Sequence, residues 1–425
     1  MSGEPVPAYL LPDNATVAGD RLAIGGVDVH ELAAEYGTPL FVYDEAHLRA
    51  RCREAVAGFG DGVAYATKAF LSQAMARLAW EEGMHLDVAT GGELHVALTA
   101  GVPADRLVMH GNNKSLRELQ MALDAGVGRI VVDSFEEIER LEALVSDGRR
   151  QPQVLVRINP GIDVHTHEYL QTGVPDSKFG FGVSTGDAHR AVEAVARSGA
   201  LALVGIHAHI GSQVFVAESY GKAIGALAPF VGSHSLTEVS IGGGLGVAYV
   251  TGESAPTITQ WAASIKEACV EHGITARVTA EPGRAIVARS AVTVYTVGTI
   301  KEIDSIRTYV AVDGGMSDNP RPVLYGSGYE AFLPRAVGAV RDKAVRVVGK
   351  HCESGDVIVA DARVPADIEV GDLLCTPVTG AYGHSMGSNY NMVLRPPVVF
   401  VRDGATRLVV RREDFSDLTR RDVIS

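Results

Sequence analysis

The chain has 425 residues, of which 46% are apolar and 21% charged, an ordinary composition for a globular protein too long for one core. With 38 basic and 51 acidic side chains the net charge is −13, which argues against nucleic acid or an anionic membrane as the main partner. The four cysteines form no Cys-X-X-Cys pair, so neither a disulfide framework nor a zinc site is indicated. Residues 1–11 do not resemble a signal peptide, and no apolar run approaches the ~20 residues of a membrane span, so we expect a cytoplasmic protein of two domains.

Eight β-rich segments alternate with segments of helical length in the first two thirds of the chain. The predicted strands are Val63–Ala69, Leu86–Thr90, Leu107–Asn112, Arg129–Ser134, Gln153–Asn159, Leu203–Gly211, Glu238–Gly244 and Arg277–Gly283. Apolar residues three and four apart predict helices at Leu71–Glu82, Gly92–Ala100, Leu116–Ala125 and Phe135–Leu144. Ser115 with Glu118, and Ser134 with Glu137, fit capping boxes. Eight βα units in series predict a parallel (β/α)8 TIM barrel, with an open doubly wound sheet as the alternative.

After about Gly283 the pattern changes to short strands broken by Gly, Pro and Asp. The predicted strands are Ala291–Val297, Thr308–Val312, Ala344–Gly349, Asp356–Ala360, Asp372–Thr376, Val398–Val401 and Arg407–Arg411. Few helices separate them, which predicts a C-terminal antiparallel β domain of barrel or sandwich type. The early segment Arg21–Val27 is a candidate further strand of that domain. We therefore predict a barrel domain over residues 38–284 and a β domain over residues 1–37 plus 285–425.

Polar residues recur at the C-terminal ends of the predicted barrel strands, where barrel enzymes carry their chemistry. These residues are Lys68, Asp87, His110, His207, His209, Ser212, Gly242–Gly244 and Glu281–Arg284. A lysine at the end of an apolar strand is a candidate Schiff-base nucleophile, against the alternative of a snorkelling surface lysine. The glycine loop fits either an anion-binding backbone or a tight turn. Glu281 fits either the partner of a pyridine nitrogen or an ordinary ion pair with Arg284.

Two histidine patterns raise the question of a metal. His207 and His209 lie two apart on a strand and so point to the same side, but no Cys or carboxylate at metal spacing accompanies them. The segment His165–Glu168 does not continue into HExxH, because Gln171 occupies the position of the second histidine. We therefore expect no metal.

Ten motifs in a fixed order carry a family resemblance. They are YGTPLFVYD (36–44), YATKA (65–69), DVATGGEL (87–94), HGNNK (110–114), HAHIGSQ (207–213), GGGLG (242–246), EPGR (281–284), DGGMSDNPRP (313–322), GKHCESGD (349–356) and GAYG (380–383). Together they resemble the fold-type III PLP-dependent decarboxylases, which have an alanine-racemase-type barrel followed by a β domain. Within that group the chain is similar to the diaminopimelate decarboxylase family over nearly its whole length. Two departures from the family pattern, Ala208 and Gly383, remove no catalytic group.

The resemblance implies pyridoxal 5′-phosphate as cofactor and decarboxylation of meso-2,6-diaminopimelate to L-lysine and CO2 as the reaction. It implies that Lys68 forms the Schiff base, that His209 stacks on the cofactor ring and that Cys352 takes part in catalysis. The implied cofactor-binding residues are Lys68, Asp87, His209, Ser212, Gly243, Gly244, Glu281, Gly283, Arg284 and Tyr382. The implied substrate-binding residues are Arg284, Arg321, Tyr325, Glu353 and Tyr382.

The resemblance also implies a homodimer with shared active sites, in which Cys352 and Glu353 reach the site of the other subunit. A paralogous decarboxylase acting on another amino acid, such as ornithine or arginine, is the main alternative. Such substrates have no distal carboxylate and would favour an acidic residue at the position of Arg321. An alanine-racemase-like enzyme and a non-enzymatic regulator are the remaining alternatives.

Overall fold

The computed structural model describes residues 3–145, 150–161, 177–209, 211–215, 217–234 and 236–424. The chain divides into two compact units, described separately below. The barrel unit comprises Arg51–Val247 and Ala255–Ala285, and the β unit comprises Met1–Ala50, Ala248–Ser254 and Ile286–Ser425. Among the described residues, no helix combines the length and the apolar character needed to cross a lipid bilayer.

Parallel strands in chain order form the sheet of the barrel unit. They are Ala64–Ala66, His85–Val88, Leu107–Met109, Arg129–Val132, Gln153–Asn159, Ala202–Ala208, Glu238–Ser240 and Arg277–Thr279, with the short Phe181–Gly182 beside the fifth. Ala64 N donates to Ala280 O at 2.9 Å and Ala66 N donates to Pro282 O at 3.2 Å, which joins the first strand to the chain leaving the last. The predicted (β/α)8 barrel is therefore confirmed, and the open-sheet alternative is wrong.

Helices follow most of the barrel strands. The long helices are Glu45–Phe59, Gln73–Glu81, Gly91–Thr99, Leu116–Ala125, Phe135–Leu144, Asp187–Arg197, Ala217–Gly232 and Ile258–Glu271. Ser115 forms the predicted capping box with Glu118. The second predicted box is only half formed: Ser134 accepts from Glu137 N at 3.2 Å, but the Glu137 carboxylate lies 2.7 Å from the buried amine of Lys114. A buried lysine needs a counter-ion, and that need outweighs the second capping bond.

The β unit contains two sheets. Ala15–Ala18, Arg21–Ile24 and Val27–Asp28 form a small antiparallel sheet. The larger sheet consists of Leu40–Asp44, Ala291–Ile303, Arg307–Val312, Lys343–Val348, Val357–Val364, Leu373–Pro377, Val398–Arg402 and Ala405–Val410. Most pairs in it are antiparallel, but two are parallel: Arg307–Val312 with Lys343–Val348, and Leu40–Asp44 with Val398–Arg402.

Two segments of the β unit precede the barrel in the sequence. The Arg21 segment is a strand of the β unit and pairs within its small sheet. Leu40–Asp44 falls within residues 38–284, yet it pairs with strands at Ala291–Ile303 and Val398–Arg402. All five of its residues are buried, so it is a central strand of that sheet.

Short helical segments complete the described structure. The short α-helices are Val29–Tyr36, Arg284–Val287, Arg321–Tyr325 and Phe415–Thr419. The 3-10 helices are Ala8–Leu10, Thr67–Ala69, Ala104–Arg106, His384–Met386 and Tyr390–Met392. Two of these segments, Thr67–Ala69 and Arg321–Tyr325, carry predicted site residues.

Candidate active site

Lys68 lies in a 3-10 turn directly after the first barrel strand. Its side chain is exposed, whereas Thr67 and Ala69 on either side of it are buried. Thr67 Oγ1 donates to the backbone oxygen of Asp87 at 2.8 Å, which fixes the turn against the end of the second strand. Burial raises the pKa of Asp87 to about 6, although the positive charges of His110 and Lys68 act in the opposite direction. The turn thus presents an accessible amine beside a carboxyl group.

Glu281 follows the last barrel strand and is enclosed by polar side chains from three other strand ends. His207 Nε2 lies 3.0 Å from its Oε2 atom, Ser240 Oγ donates to Oε1 at 2.9 Å, and His110 Nε2 lies 3.2 Å from Oε1. Burial alone would raise the pKa of Glu281, but the two imidazoles hold it well below its usual value. Glu281 is therefore a buried carboxylate anion.

The two imidazoles beside Glu281 differ in charge. Burial lowers the pKa of His207 to about 4, so this ring is neutral near pH 7 and donates its Nε2 hydrogen to Glu281. His110 is also 3.7 Å from Asp87 Oδ1. Burial opposes protonation of His110, but Asp87 and Glu281 together raise its pKa. The two carboxyl groups thus favour the charged form of His110.

A glycine loop forms the next part of the rim. Gly243 N donates to His209 Nδ1 at 3.2 Å. Gly242 and Gly244 have φ angles of +67° and +106°, which favour glycine. A Cβ on Gly244 would lie 2.2 Å from Gly211 O, so no larger residue fits where these two loops meet. Gly242 and Gly243 are buried, and Gly242 N donates to Ser240 Oγ at 3.3 Å, whereas Gly244 is partly exposed. The partly exposed end of the loop therefore presents backbone without a side chain, the kind of surface that an anion such as phosphate can approach closely.

Arg284 begins a short helix after the Glu281 loop. Its side chain is buried, and its Nη2 atom donates to Ser212 Oγ at 3.1 Å. Gly283 lies close to the first strand, because a Cβ there would be 3.0 Å from Ala66. The pair of Arg284 with Ser212 thus places a cation and a hydroxyl at the rim, while the Glu281 carboxylate is held by histidines and a serine.

The β unit contains a second cluster, centred on Arg321. The Arg321 guanidinium is 6% exposed and lies over three tyrosine rings, at 5.2 Å from Tyr249, 5.5 Å from Tyr382 and 5.6 Å from Tyr325. Its Nη2 atom donates to Ser327 Oγ at 3.0 Å, and its Nε atom has no hydrogen-bond partner in the described part of the chain. Within those residues it forms no ion pair, so its charge is available to an anionic ligand.

Comparison with known proteins identifies the family. A family model for the pyridoxal-dependent decarboxylase, pyridoxal binding domain, matches residues 45–288. Diaminopimelate decarboxylase of Mycobacterium tuberculosis is 47% identical to the chain, and that of Bacillus subtilis 45%, each over 95% of both sequences. This chain belongs to the diaminopimelate decarboxylase family. The family resemblance read from the ten motifs is therefore confirmed.

Solved structures of diaminopimelate decarboxylases share the whole fold. One from M. jannaschii has a TM-score of 0.90 and 30% sequence identity, covering 97% of this chain and 98% of that chain. A second structure of that enzyme, in co-complex with L-lysine, also has a TM-score of 0.90 at 30% identity, covering 100% and 99%. A lysine/ornithine decarboxylase from Vibrio vulnificus, at 24% identity and a TM-score of 0.76, shares the fold alone.

The residues of the barrel rim fit pyridoxal phosphate, the cofactor of pyridoxal-dependent decarboxylases. An aldehyde needs an accessible amine, and Lys68 is exposed. A pyridinium nitrogen needs a buried anion, and Glu281 is one. A phosphate group needs close approach to a backbone without side chains, and the loop Gly242–Gly244 has the glycines that allow it. The three chemical requirements of the cofactor are therefore met at one end of the barrel.

Cys352 and Glu353 lie in a loop of the β unit, after the strand Lys343–Val348. Both side chains are exposed, and Cys352 is a free thiol. The backbone amide of Cys352 donates to Asn391 Oδ1 at 3.0 Å, which holds the loop at that point. The thiol is therefore accessible on the surface of the β unit.

The structure also bears on the two histidine patterns considered for metal binding. His207 contacts Glu281 whereas His209 accepts from Gly243 N, so these histidines do not face a common ligand. His110, His207 and Glu281 do have ligand atoms within 4.8 Å of one another. Their contacts are those of imidazoles around a carboxylate. The segment His165–Glu168 lies outside the described residues.

Several residues of these clusters received no role from the sequence. His110 and His207 were noticed at strand ends, but nothing in a linear pattern shows that both meet Glu281. Ser240 lies two residues before the glycine loop, and its contact with Glu281 is not visible in the sequence. Tyr249 follows the same loop, and its contact with Arg321 depends on folding of distant segments. For His110, His207 and Ser240, the available signal in the sequence was a polar residue at the end of a barrel strand.

Proposed function

We propose that this protein catalyses the PLP-dependent decarboxylation of meso-2,6-diaminopimelate to L-lysine and CO2, the last step of lysine biosynthesis. It is a carboxy-lyase of the pyridoxal-dependent family. The diaminopimelate decarboxylase relatives, and the related structure that contains L-lysine, support this substrate. The alternative is a family member that acts on another amino acid or on a biosynthetic intermediate.

The proposed cofactor site uses the rim of the barrel. Lys68 would hold the cofactor through its ε-amine, and Glu281 would pair with the ring nitrogen. Gly243, Gly244 and Ser212 would bind the phosphate group together with Gly283 and Arg284. His209 would stack on the ring, Asp87 would lie beside Lys68 and the ring, and Tyr382 would be a further cofactor contact. A functional division into a barrel that carries the cofactor and a β domain that carries Arg321 is part of this proposal.

Bound PLP supplies an electron sink for the pair left behind when a carboxylate departs as CO2. The Glu281 carboxylate stabilises a proton at the ring nitrogen, which that role requires. Arg321 binds the carboxylate that remains in the product, with Arg284, Tyr325, Tyr382 and Glu353 as further substrate contacts. Binding this distant end orients the reacting carbon. Cys352 of the partner subunit donates the proton that replaces the lost carboxylate, with Lys68 as the alternative donor.

The observation that carries this substrate assignment is the environment of Arg321. A buried guanidinium without a counter-ion is costly, and three tyrosine rings offset only part of that cost. A ligand carboxylate would neutralise it. Ornithine and arginine have no second carboxylate, so a binding site for them would place an acidic group here. Arg321 therefore favours a substrate with a carboxylate at each end.

We further propose that the protein is a cytoplasmic homodimer with shared active sites. The exposed loop with Cys352 and Glu353 supports this arrangement, because its thiol is accessible on the surface of the β unit.

The test is a substrate panel. Purified protein with PLP is incubated separately with meso-diaminopimelate, lysine, ornithine and arginine, and CO2 and amine products are measured. We expect release of CO2 and an equal amount of L-lysine from meso-diaminopimelate, and no turnover of lysine, ornithine or arginine. Release of CO2 from ornithine or arginine at a higher kcat/KM would favour the alternative.

A further inference from the structure

Glu281 is held by more polar contacts than a simple counter-ion needs. Its carboxylate, the two histidine rings and the Ser240 hydroxyl are all buried. Oε2 faces His207, and Oε1 faces both Ser240 and His110. Both oxygens therefore have partners inside the protein, and the carboxylate group cannot rotate without losing one of them.

Glu281 and its three partners come from four different strand ends. His110 follows the third strand, His207 is in the sixth, Ser240 ends the seventh and Glu281 follows the eighth. The backbone of Glu281 is also fixed, because its amide donates to Gly242 O at 2.9 Å. Rigid barrel strands thus fix the position of the carboxylate, which a flexible loop would not do.

We propose that His207 and His110 are positioning residues that hold Glu281 as an oriented anion for the ring nitrogen of PLP. This inference rests on the proposed function, because it concerns the same cofactor site. Neither histidine needs to touch the cofactor or the substrate. Each acts through Glu281, and each contributes a different interaction.

His207 fixes the orientation of the Glu281 carboxylate by a hydrogen bond. Its Nε2 atom contacts Glu281, and its Nδ1 atom is buried without a hydrogen-bond partner among the described residues. A neutral imidazole with its hydrogen on Nε2 satisfies that geometry, because a hydrogen on Nδ1 would be buried without an acceptor. The ring therefore has one favoured tautomer and donates one hydrogen bond to Oε2.

His110 contributes charge. Its Nε2 atom lies 3.2 Å from Glu281 and 3.7 Å from Asp87, so one imidazole bridges the two carboxyl groups. With a pyridinium facing Glu281, the pyridinium, Glu281, His110 and Asp87 would form a row of alternating positive and negative charges. That arrangement lets Glu281 stabilise the ring proton while His110 remains charged. Asp87 then acts on the ring nitrogen through His110 and Glu281.

The experiment compares PLP binding by four single variants with wild type. His207→Leu removes the donor, whereas His207→Gln keeps an N–H group near the position of Nε2. His110→Gln and His110→Leu repeat the comparison on the other oxygen. His85→Leu is the matched control, because His85 begins the second strand, at the opposite end of the barrel from the rim. Apparent PLP dissociation constants come from titration of the visible absorption band, and circular dichroism checks folding.

We expect His207→Leu to weaken PLP binding by about tenfold or more, since a hydrogen bond to a buried charged group is lost. His207→Gln should stay within about threefold of wild type, and His85→Leu should match wild type. In a Glu281→Gln background, His207→Leu should change PLP affinity by less than about twofold, because the charged partner is already absent. A purely structural role would give equal losses in both backgrounds.

Three results would overturn the inference. One is wild-type PLP affinity and an unshifted absorption band in His207→Leu. Another is equal loss in His207→Leu and His207→Gln. The third is the same loss for His207→Leu with and without Glu281. If His207→Leu fails to fold, His110→Leu with and without Glu281 gives the same test of action through Glu281. Failure of the wild-type protein to bind PLP would overturn the proposed function itself, and this inference with it.

Discussion

Replacing Arg321 with leucine is expected to separate ligand binding from stability. The Arg321 guanidinium is 6% exposed and forms no ion pair within the described residues. Burying an unpaired cation costs several kcal/mol, and each cation–π contact with a tyrosine ring returns about 0.5–2 kcal/mol. Leucine occupies much of the same space without that cost. The thermal midpoint of Arg321→Leu should therefore equal or exceed that of wild type.

Arg321→Leu should weaken the binding only of ligands that carry the carboxylate retained in the product. Removing one partner of a buried charge pair costs about 2 kcal/mol or more, which corresponds to a Kd at least about 30-fold higher. L-lysine has that carboxylate, whereas cadaverine has the same carbon chain and amines without it. L-lysine should lose this factor, and cadaverine should change by less than about threefold. Calorimetry with the PLP-loaded protein measures both constants.

Arg335→Leu is the matched control. Arg335 is in the same unit but is paired with Asp372 at 2.7 Å and is partly exposed. Its replacement should lower the thermal midpoint and leave both ligands unaffected. The reasoning about Arg321 would be refuted by equal losses for L-lysine and cadaverine. It would also be refuted by a drop in the thermal midpoint as large as that of the control.

Three further predictions concern the cofactor, the subunit arrangement and a buried carboxyl group. Lys68→Ala should lose the visible absorption band of bound PLP and all turnover, and a fully active variant would contradict the assignment. Lys68→Ala and Cys352→Ala chains, inactive separately, should regain partial activity when mixed; no recovery, with mixed dimers shown to form, would count against shared sites. Burial raises the pKa of Asp318 to about 7, against about 4 in an unfolded chain, so the folded state binds the extra proton and loses stability as pH rises between these values. Asparagine at position 318 does not titrate, so Asp318→Asn does not lose stability in this way. The unfolding free energy of Asp318→Asn minus that of wild type should therefore rise by about 2 kcal/mol from pH 5 to pH 8. Denaturant titrations at both pH values test this, and parallel pH profiles would contradict it.

The barrel was predictable because local patterns determine it. Alternating apolar strands and amphipathic helices give the order of all eight strands without knowledge of any distant contact. The strand ends were less predictable. Most predicted strands ran several residues too far, as at Lys68, which lies in a 3-10 turn, and at Gly242–Gly244, which lie beyond Ser240. Small and apolar residues continue into these rim loops, so composition does not show where backbone pairing stops.

The β unit was harder to predict because its pairs are distant in sequence. Leu40–Asp44 has the same apolar character as a barrel strand, and only its partners at Ala291–Ile303 and Val398–Arg402 reveal its sheet. The cluster centred on Arg321 was hard to predict for the same reason, since Tyr249 and Tyr382 lie far from Arg321 in the sequence, on either side of it. The family motifs identified which residues were important, but the contact of both histidines with Glu281 required the three-dimensional arrangement.

The closure of the barrel has a consequence for how the protein acquires its cofactor during synthesis. The amine of Lys68 and the carboxylate of Glu281 follow the first and last strands, which are joined by the bonds of Ala64 and Ala66 to Ala280 and Pro282. A ribosome-bound chain that ends before Glu281 has the amine but neither the anion nor a closed ring. Pairing of such distant segments is slow compared with helix formation. Nascent chains should therefore become able to retain PLP only after the eighth strand has emerged from the ribosome.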